Sequence, residues 1–234
     1  MNTLTSSSFR RIVWPIAFAQ TIVWAAMFCS FPALLLEWER DLGWSKTQLS
    51  GAFTLALVVA ALLAPVAGRL IDRGLARRVY PGSAILGALL LGLMSRVTLL
   101  RHFYAVWIGL GVAISGALYE ASFAVITRAM GSGARQAITL VTLIAGFAGT
   151  LAFPGAHFLV GIVGWRGAVQ FMALAVVGLG APLMWQAIRA REARAMDSEA
   201  GEEVIAPRAT QILGRPLSWL QVHSRGRGRS HRGV

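Results

Sequence analysis

Between two long apolar runs, the stretch Gly68-Arg69-Leu70-Ile71-Asp72-Arg73-Gly74-Leu75-Ala76-Arg77-Arg78 sets five charged side chains in eleven positions. A charge at the centre of a bilayer costs about 2.5 to 3.5 kcal/mol on insertion scales, so this block cannot lie in hydrocarbon. The runs on either side are each long enough to cross a bilayer, and the chain therefore has to leave the membrane, turn and re-enter here. Composition carries the same message. Only 14% of residues are charged and 56% are hydrophobic, with a mean hydropathy of +0.62, whereas a soluble domain carries about 25% charged residues. The chain reads as an all-α integral membrane protein.

A span of ~30 Å needs about 20 helical residues at 1.5 Å each. On that ruler the sequence predicts six spans, at about 12–36, 47–67, 80–100, 103–127, 137–162 and 167–188. The first run is too long for a signal-peptide core, and no clean cleavage site follows it. With alternating helices, Arg10 and Arg11, the arginines of the 68–78 loop, Arg128 and Arg135, and Arg189, Arg191 and Arg194 fall on one side. That side is expected to be cytoplasmic, which puts both termini inside the cell and the protein in the plasma (inner) membrane as a multi-pass chain. Trp14 and Trp185 then fall at inner boundaries, and Trp38, Trp44 and Trp165 at outer ones, as an aromatic belt requires.

The net charge of +12 sits in short clusters between apolar runs rather than along one face, so it signals topology and no nucleic-acid partner is expected. Three regions follow: a cytoplasmic N-terminus at 1–11, a six-helix bundle at 12–188, and a cytoplasmic linker and tail at 189–234. The tail ends in Arg-Gly repeats that cannot bury a core, and it is expected to be disordered and basic. Three readings of it stand: a nucleic-acid-binding tail, a contact with anionic lipid, or the arbitrary end of a shortened reading frame, the last being preferred.

Polar groups at membrane depth face a cavity or another helix rather than lipid. In the first span Gln20, Trp24 and Met27 share a face that Phe31 continues. In the fourth, Trp107, Gly111, Ser115, Tyr119 and Ser122 do so, and the fifth offers Thr139, Thr142, Gly146, Gly149 and Phe153. The candidate substrate cavity is therefore Gln20, Trp24, Met27, Trp107, Ser115, Tyr119 and Thr142, with plain helix packing as the competing account. Glu120 is the one carboxylate within a span. Burial would raise its pKa and let it carry a proton with a substrate, or it pairs with Arg128 or the loop arginines. Ser45 and Gln48 form a capping box at the start of the second span. The third and sixth spans, aliphatic with spaced glycines, are expected to face lipid or pack through small residues. Cys29 and His157 stand alone. No metal cluster, nucleophile with its base, or phosphate loop is present, so neither a cofactor nor an enzymatic reaction is expected.

Gly68, Asp72, Arg73, Arg77 and Arg78 after a second span resemble the loop signature of the major facilitator superfamily of secondary transporters. The family's second glycine falls at Leu75, while Gly74 stands one residue earlier, and a glycine is needed only where φ is positive. The resemblance covers about residues 10–190. It implies one amino-terminal six-helix half-bundle with a 3+3 inverted repeat, the Gly164-Trp165-Arg166 turn lying opposite the 68–78 loop. It also implies a substrate site between two such halves, and a conformational latch at Gly68, Asp72, Arg73, Arg77 and Arg78. Tyr119-Glu120-Ala121-Ser122-Phe123-Ala124, Ala137-Ile138-Thr139-Leu140-Val141-Thr142 and Gly164-Trp165-Arg166 look like the oxalate/formate and monocarboxylate porter-like branch, implying a small organic anion as substrate. Partners expected on this basis are the small-molecule substrate, protons as coupling ion, membrane lipid, and a second half-bundle, either another copy or a separate carboxyl-terminal half. The alternative is a truncated fragment without transport, or a six-helix scaffold or assembly protein.

Overall fold

The computed structural model describes residues 7–194 and Met196. The expectations for residues 1–6 and for the tail beyond Met196 lie outside the described residues. The side-chain contacts below all lie within the compact unit that ends at Glu192.

Every described element is helical. In chain order they are α1 (Ser7–Val23), a π-helical turn (Trp24–Phe28), α2 (Ser30–Leu42), α3 (Lys46–Leu70), a second π-helical turn (Ile71–Leu75), α4 (Ala76–Met94), α5 (Leu100–Ala117), α6 (Tyr119–Met130), a short 3-10 turn (Gly131–Gly133), α7 (Ala134–Ala145), α8 (Phe147–Ala175), a third π-helical turn (Val176–Gly180) and α9, residues 181–194. In hydrocarbon only internally hydrogen-bonded backbone is tolerated, and helices provide it without help from neighbours. Three continuous helical stretches, of 34, 49 and 95 residues, are long and apolar enough to cross a membrane.

A straight helix of the middle stretch would run about 74 Å, more than twice the hydrocarbon thickness. The chain bends instead at Gly74, whose φ of 88° and ψ of 2° lie in the left-handed region. Leu75, by contrast, has φ −83°. The displaced glycine of the loop therefore sits where the backbone needs it, and leucine occupies a position without that demand. Past this bend α3 and α4 both lie along α5. The approach of α3 to α5 is close enough that a Cβ on Gly111 would collide with the backbone carbonyl of Ala56.

Several boundaries differ from the hydropathy ruler. The third helix stops at Met94 rather than near 100, and residues 95–99 form the connection. Ser95 turns its hydroxyl onto the Gly92 carbonyl, 2.7 Å away, and Ser95, Arg96 and Thr98 supply the polar side chains of a loop that the length ruler had counted into the span. The first helical stretch continues to Leu42, beyond residue 36, and carries the π-turn at its middle. The fourth is divided at Leu118. The expected capping box is present: Ser45 Oγ accepts from the Gln48 amide at 3.2 Å, and Gln48 Oε1 accepts from the Ser45 amide at 3.0 Å.

The core is aromatic at one end. Trp38 and Trp107, 1% and 0% exposed, pack with Phe31, Phe53 and Phe103 at ring separations of 4.3 to 6.2 Å. This corrects the aromatic-belt expectation for Trp38, which is interior, and for Trp165, which is 5% exposed. Trp14 and Trp185 do lie on the surface. Leu62, Leu89, Leu143, Phe158 and Leu174 stand out from the outer faces, an apolar surface that suits lipid rather than water.

Candidate functional site

Two interruptions in otherwise regular helices meet. One is the π-turn Trp24–Phe28; such bulges recur at functional sites. The other is Leu118, whose φ of −89° and ψ of −155° break the helix between α5 and α6. The Trp24 and Tyr119 rings lie 4.8 Å apart, and Tyr119 stacks on Phe123 at 5.3 Å. The break takes the Ala117 carbonyl out of the helical ladder, and Gln20 Nε2 donates to it at 2.8 Å. The same nitrogen donates to the Tyr80 hydroxyl at 3.0 Å. A single fully buried amide thus joins α1, α4 and the end of α5.

An open depression of about 190 Å³ lies beside this junction, walled by Trp24, Phe28, Ala60, Ser115, Leu118 and Glu120. Of the seven cavity residues expected from sequence, Trp24 and Ser115 line it, and Tyr119 adjoins it through the Trp24 ring. Gln20, Met27 and Trp107 are each 0% exposed and closed inside the packing. Their polar or aromatic character serves helix contacts; the Met27 thioether, for instance, rests in the space left by Gly87. Thr142 is exposed on α7 and is not part of this wall. The Ser115 hydroxyl donates to its own helix, to the Val112 carbonyl at 2.8 Å.

Glu120 stands exposed in the first turn of α6, where the partial positive charge of a helix start favours a carboxylate. Among the described residues it makes no ion pair. Arg128, one of its expected partners, is engaged elsewhere: its Nε donates to Asp72 Oδ1 at 3.0 Å. This contact ties the Ile71–Leu75 turn to the far end of α6. Arg77 reaches Glu192 at 3.9 Å and lies 4.6 Å over the Trp185 ring. Arg73 and Arg78 are exposed and make no ion pair among the described residues, and Gly68 is an ordinary helical residue near the end of α3. Beside this cluster the Arg191 guanidinium is held below its usual pKa, by partial burial first and then by Arg128.

At the opposite end of the bundle, Asp41 Oδ2 accepts from the Trp165 indole at 2.8 Å and from Arg166 at 2.6 Å, with Arg166 also 4.3 Å over the Trp165 ring. These bonds, the indole's first, hold the Asp41 carboxyl below the ordinary carboxylate range. Asp41 is not among the site residues expected from sequence. Its partners lie 124 and 125 positions away, and no local pattern announces them.

Interrupted apolar helices, charge confined to their ends and an outer face of aliphatic side chains define a multi-helix membrane protein. The profile of the Major Facilitator Superfamily matches residues 16–226. The chain belongs to that family, whose members are membrane transporters of small molecules rather than enzymes. No curated protein and no solved structure matches it.

Proposed function

We propose that residues 12–188 form one six-span half-bundle of a facilitator-type secondary transporter, moving a small solute by alternating access. The termini would be cytoplasmic in the plasma (inner) membrane, with 1–11 and 189–234 as the flanking segments. The observation that carries this reading is the meeting of the π-turn at Trp24 with the helix break at Leu118 beside an open depression. Discontinuous helices around a cavity are how such transporters form a binding wall within hydrocarbon. Trp24, Ser115 and Tyr119 are its candidate substrate contacts, and Glu120 its candidate proton carrier. A second bundle, another copy or a separate half, would face this wall.

Resemblance to the oxalate/formate and monocarboxylate porter-like branch favours a small organic anion. The depression itself holds one carboxylate and neither lysine nor arginine, so an anion would cross here together with a proton or meet its positive partner on the facing bundle. The Asp72–Arg128 contact supports the latch reading of the 68–78 loop, since an ion pair made in one state and broken in another biases the equilibrium between them. The alternative, a six-helix scaffold or a fragment without transport, needs neither the depression nor an unpaired carboxylate.

Uptake of labelled monocarboxylates and dicarboxylates into proteoliposomes, with and without a second bundle supplied in trans, tests this reading. Glu120→Gln is expected to abolish the response to an imposed proton gradient while leaving the folded protein intact. Proton-driven uptake that survived the substitution unchanged would remove Glu120 from the mechanism, and no uptake under any condition would favour the scaffold.

A further inference from the structure

Apart from the depression beside Leu118, a larger groove of about 680 Å³ opens between the start of α1 and residues 183–186 of α9, lined by Arg10, Arg11, Trp14, Phe18, Leu183 and Gln186. Arg10, Trp14 and Phe18 recur every four residues, so they form one stripe along α1. Eight residues at 1.5 Å each place Phe18 about 12 Å along the helix from Arg10. The stripe runs from charge to hydrocarbon: two exposed guanidiniums at the helix start, then the Trp14 and Phe18 rings, stacked 5.8 Å apart and 40% and 51% exposed. Neither arginine makes an ion pair among the described residues. Pro15, also on the wall, has no N–H to donate to the Arg11 carbonyl, which leaves an acceptor at the same level.

We propose that this groove is a binding site for an anionic phospholipid, its phosphodiester held by Arg10 and Arg11 and one acyl chain lying along Trp14, Phe18 and Leu183. Guanidinium groups bind phosphate oxygens through paired, charge-assisted hydrogen bonds, and basic pockets between membrane helices take anionic headgroups. Gln186 and the Arg11 carbonyl add a neutral donor and acceptor within reach of a headgroup hydroxyl, which suits phosphatidylglycerol. The charge of the site selects against zwitterionic lipid, and its apolar wall selects against a soluble phosphate. The inference requires the protein to lie in a membrane but is independent of transport.

Trp14 provides the readout, because bromine on an acyl chain quenches indole fluorescence on contact. The full chain is reconstituted in phosphatidylcholine vesicles containing a minor fraction of either dibrominated phosphatidylglycerol or dibrominated phosphatidylcholine. The Trp14 signal is isolated by subtracting a Trp14→Phe sample. Stronger quenching by the brominated phosphatidylglycerol is expected, with its apparent affinity falling on the order of tenfold in Arg10→Gln/Arg11→Gln and unchanged in Arg69→Gln/Arg135→Gln. Equal quenching of the Trp14 signal by the two lipids would overturn the proposal. Equal losses in both double variants would also overturn it, since they would mean general attraction to a basic surface.

Discussion

The same helices behave differently along their length. Toward the Asp41 end, Trp38, Trp107, Phe31, Phe53 and Phe103 close the bundle completely, and α3 and α5 touch at Gly111. Toward the Asp72 end, α1 is interrupted at Trp24 and the α5–α6 line at Leu118, and Glu120 stands at an open depression. In the first region packing is continuous. Among the described residues both regions hold buried polar atoms without a partner, Trp38 Nε1 and Trp107 Nε1 in the first and Trp24 Nε1 and Gln20 Oε1 in the second, so the difference between them lies in the broken helices. Closed packing gives rigidity, while an interrupted helix leaves backbone that another molecule or another state can use. A bundle built to bind on one wall needs both, because the wall is positioned by the part that does not move.

The largest expected effect is in the closed region. Trp107→Ala removes a fully buried ring that contacts Phe31, Phe53, Trp38 and Phe103, and it should cost about 3–5 kcal/mol in stability. Thermal unfolding in detergent reads this, and a loss below about 1 kcal/mol would erase the distinction between the two regions. Next comes the boundary between them. Gln20→Leu leaves the Ala117 carbonyl and the Tyr80 hydroxyl without their donor, a penalty of about 1–3 kcal/mol. It should also raise hydrogen exchange at residues 117–121 more than at 103–107, whereas uniform protection would mean that the amide does not hold the break. The smallest effect is at the charged end. Asp72→Asn should change stability by no more than about 1 kcal/mol, because the pair is exposed, yet alter the transport rate and its salt dependence. An unchanged rate would leave the contact as a topology feature alone.

Much of the fold could be read from the sequence, because hydrocarbon imposes one requirement at a time: apolar runs of a set length, charges at their ends, and glycine where φ turns positive. The 68–78 turn was found by those rules. They also singled out Glu120, which stands exposed in the first turn of α6. The internal breaks were not, since Leu118 and the Trp24–Phe28 turn carry no proline, no glycine pair and no polarity that would mark them. Gln20 and Trp107 looked like cavity residues because helical spacing says which residues share a face, not whether that face meets a void or another helix. Only the interhelical distances decide that, whereas the Ser95–Leu99 connection was announced by Ser95, Arg96 and Thr98, a signal that a fixed 20-residue ruler ran past.

The bond between Asp41 and the Trp165-Arg166 pair has a consequence for the order of assembly. During synthesis the Asp41 carboxyl emerges long before its partners and waits, hydrated, while more than a hundred further residues are added. It can gain its indole and guanidinium donors only after the helices between have been inserted and have turned back. The contact therefore reports that the chain between residues 41 and 165 is in place. A chain that misplaces one intervening span carries Asp41 and the Trp165-Arg166 pair to opposite faces of the membrane and leaves the carboxylate without either donor.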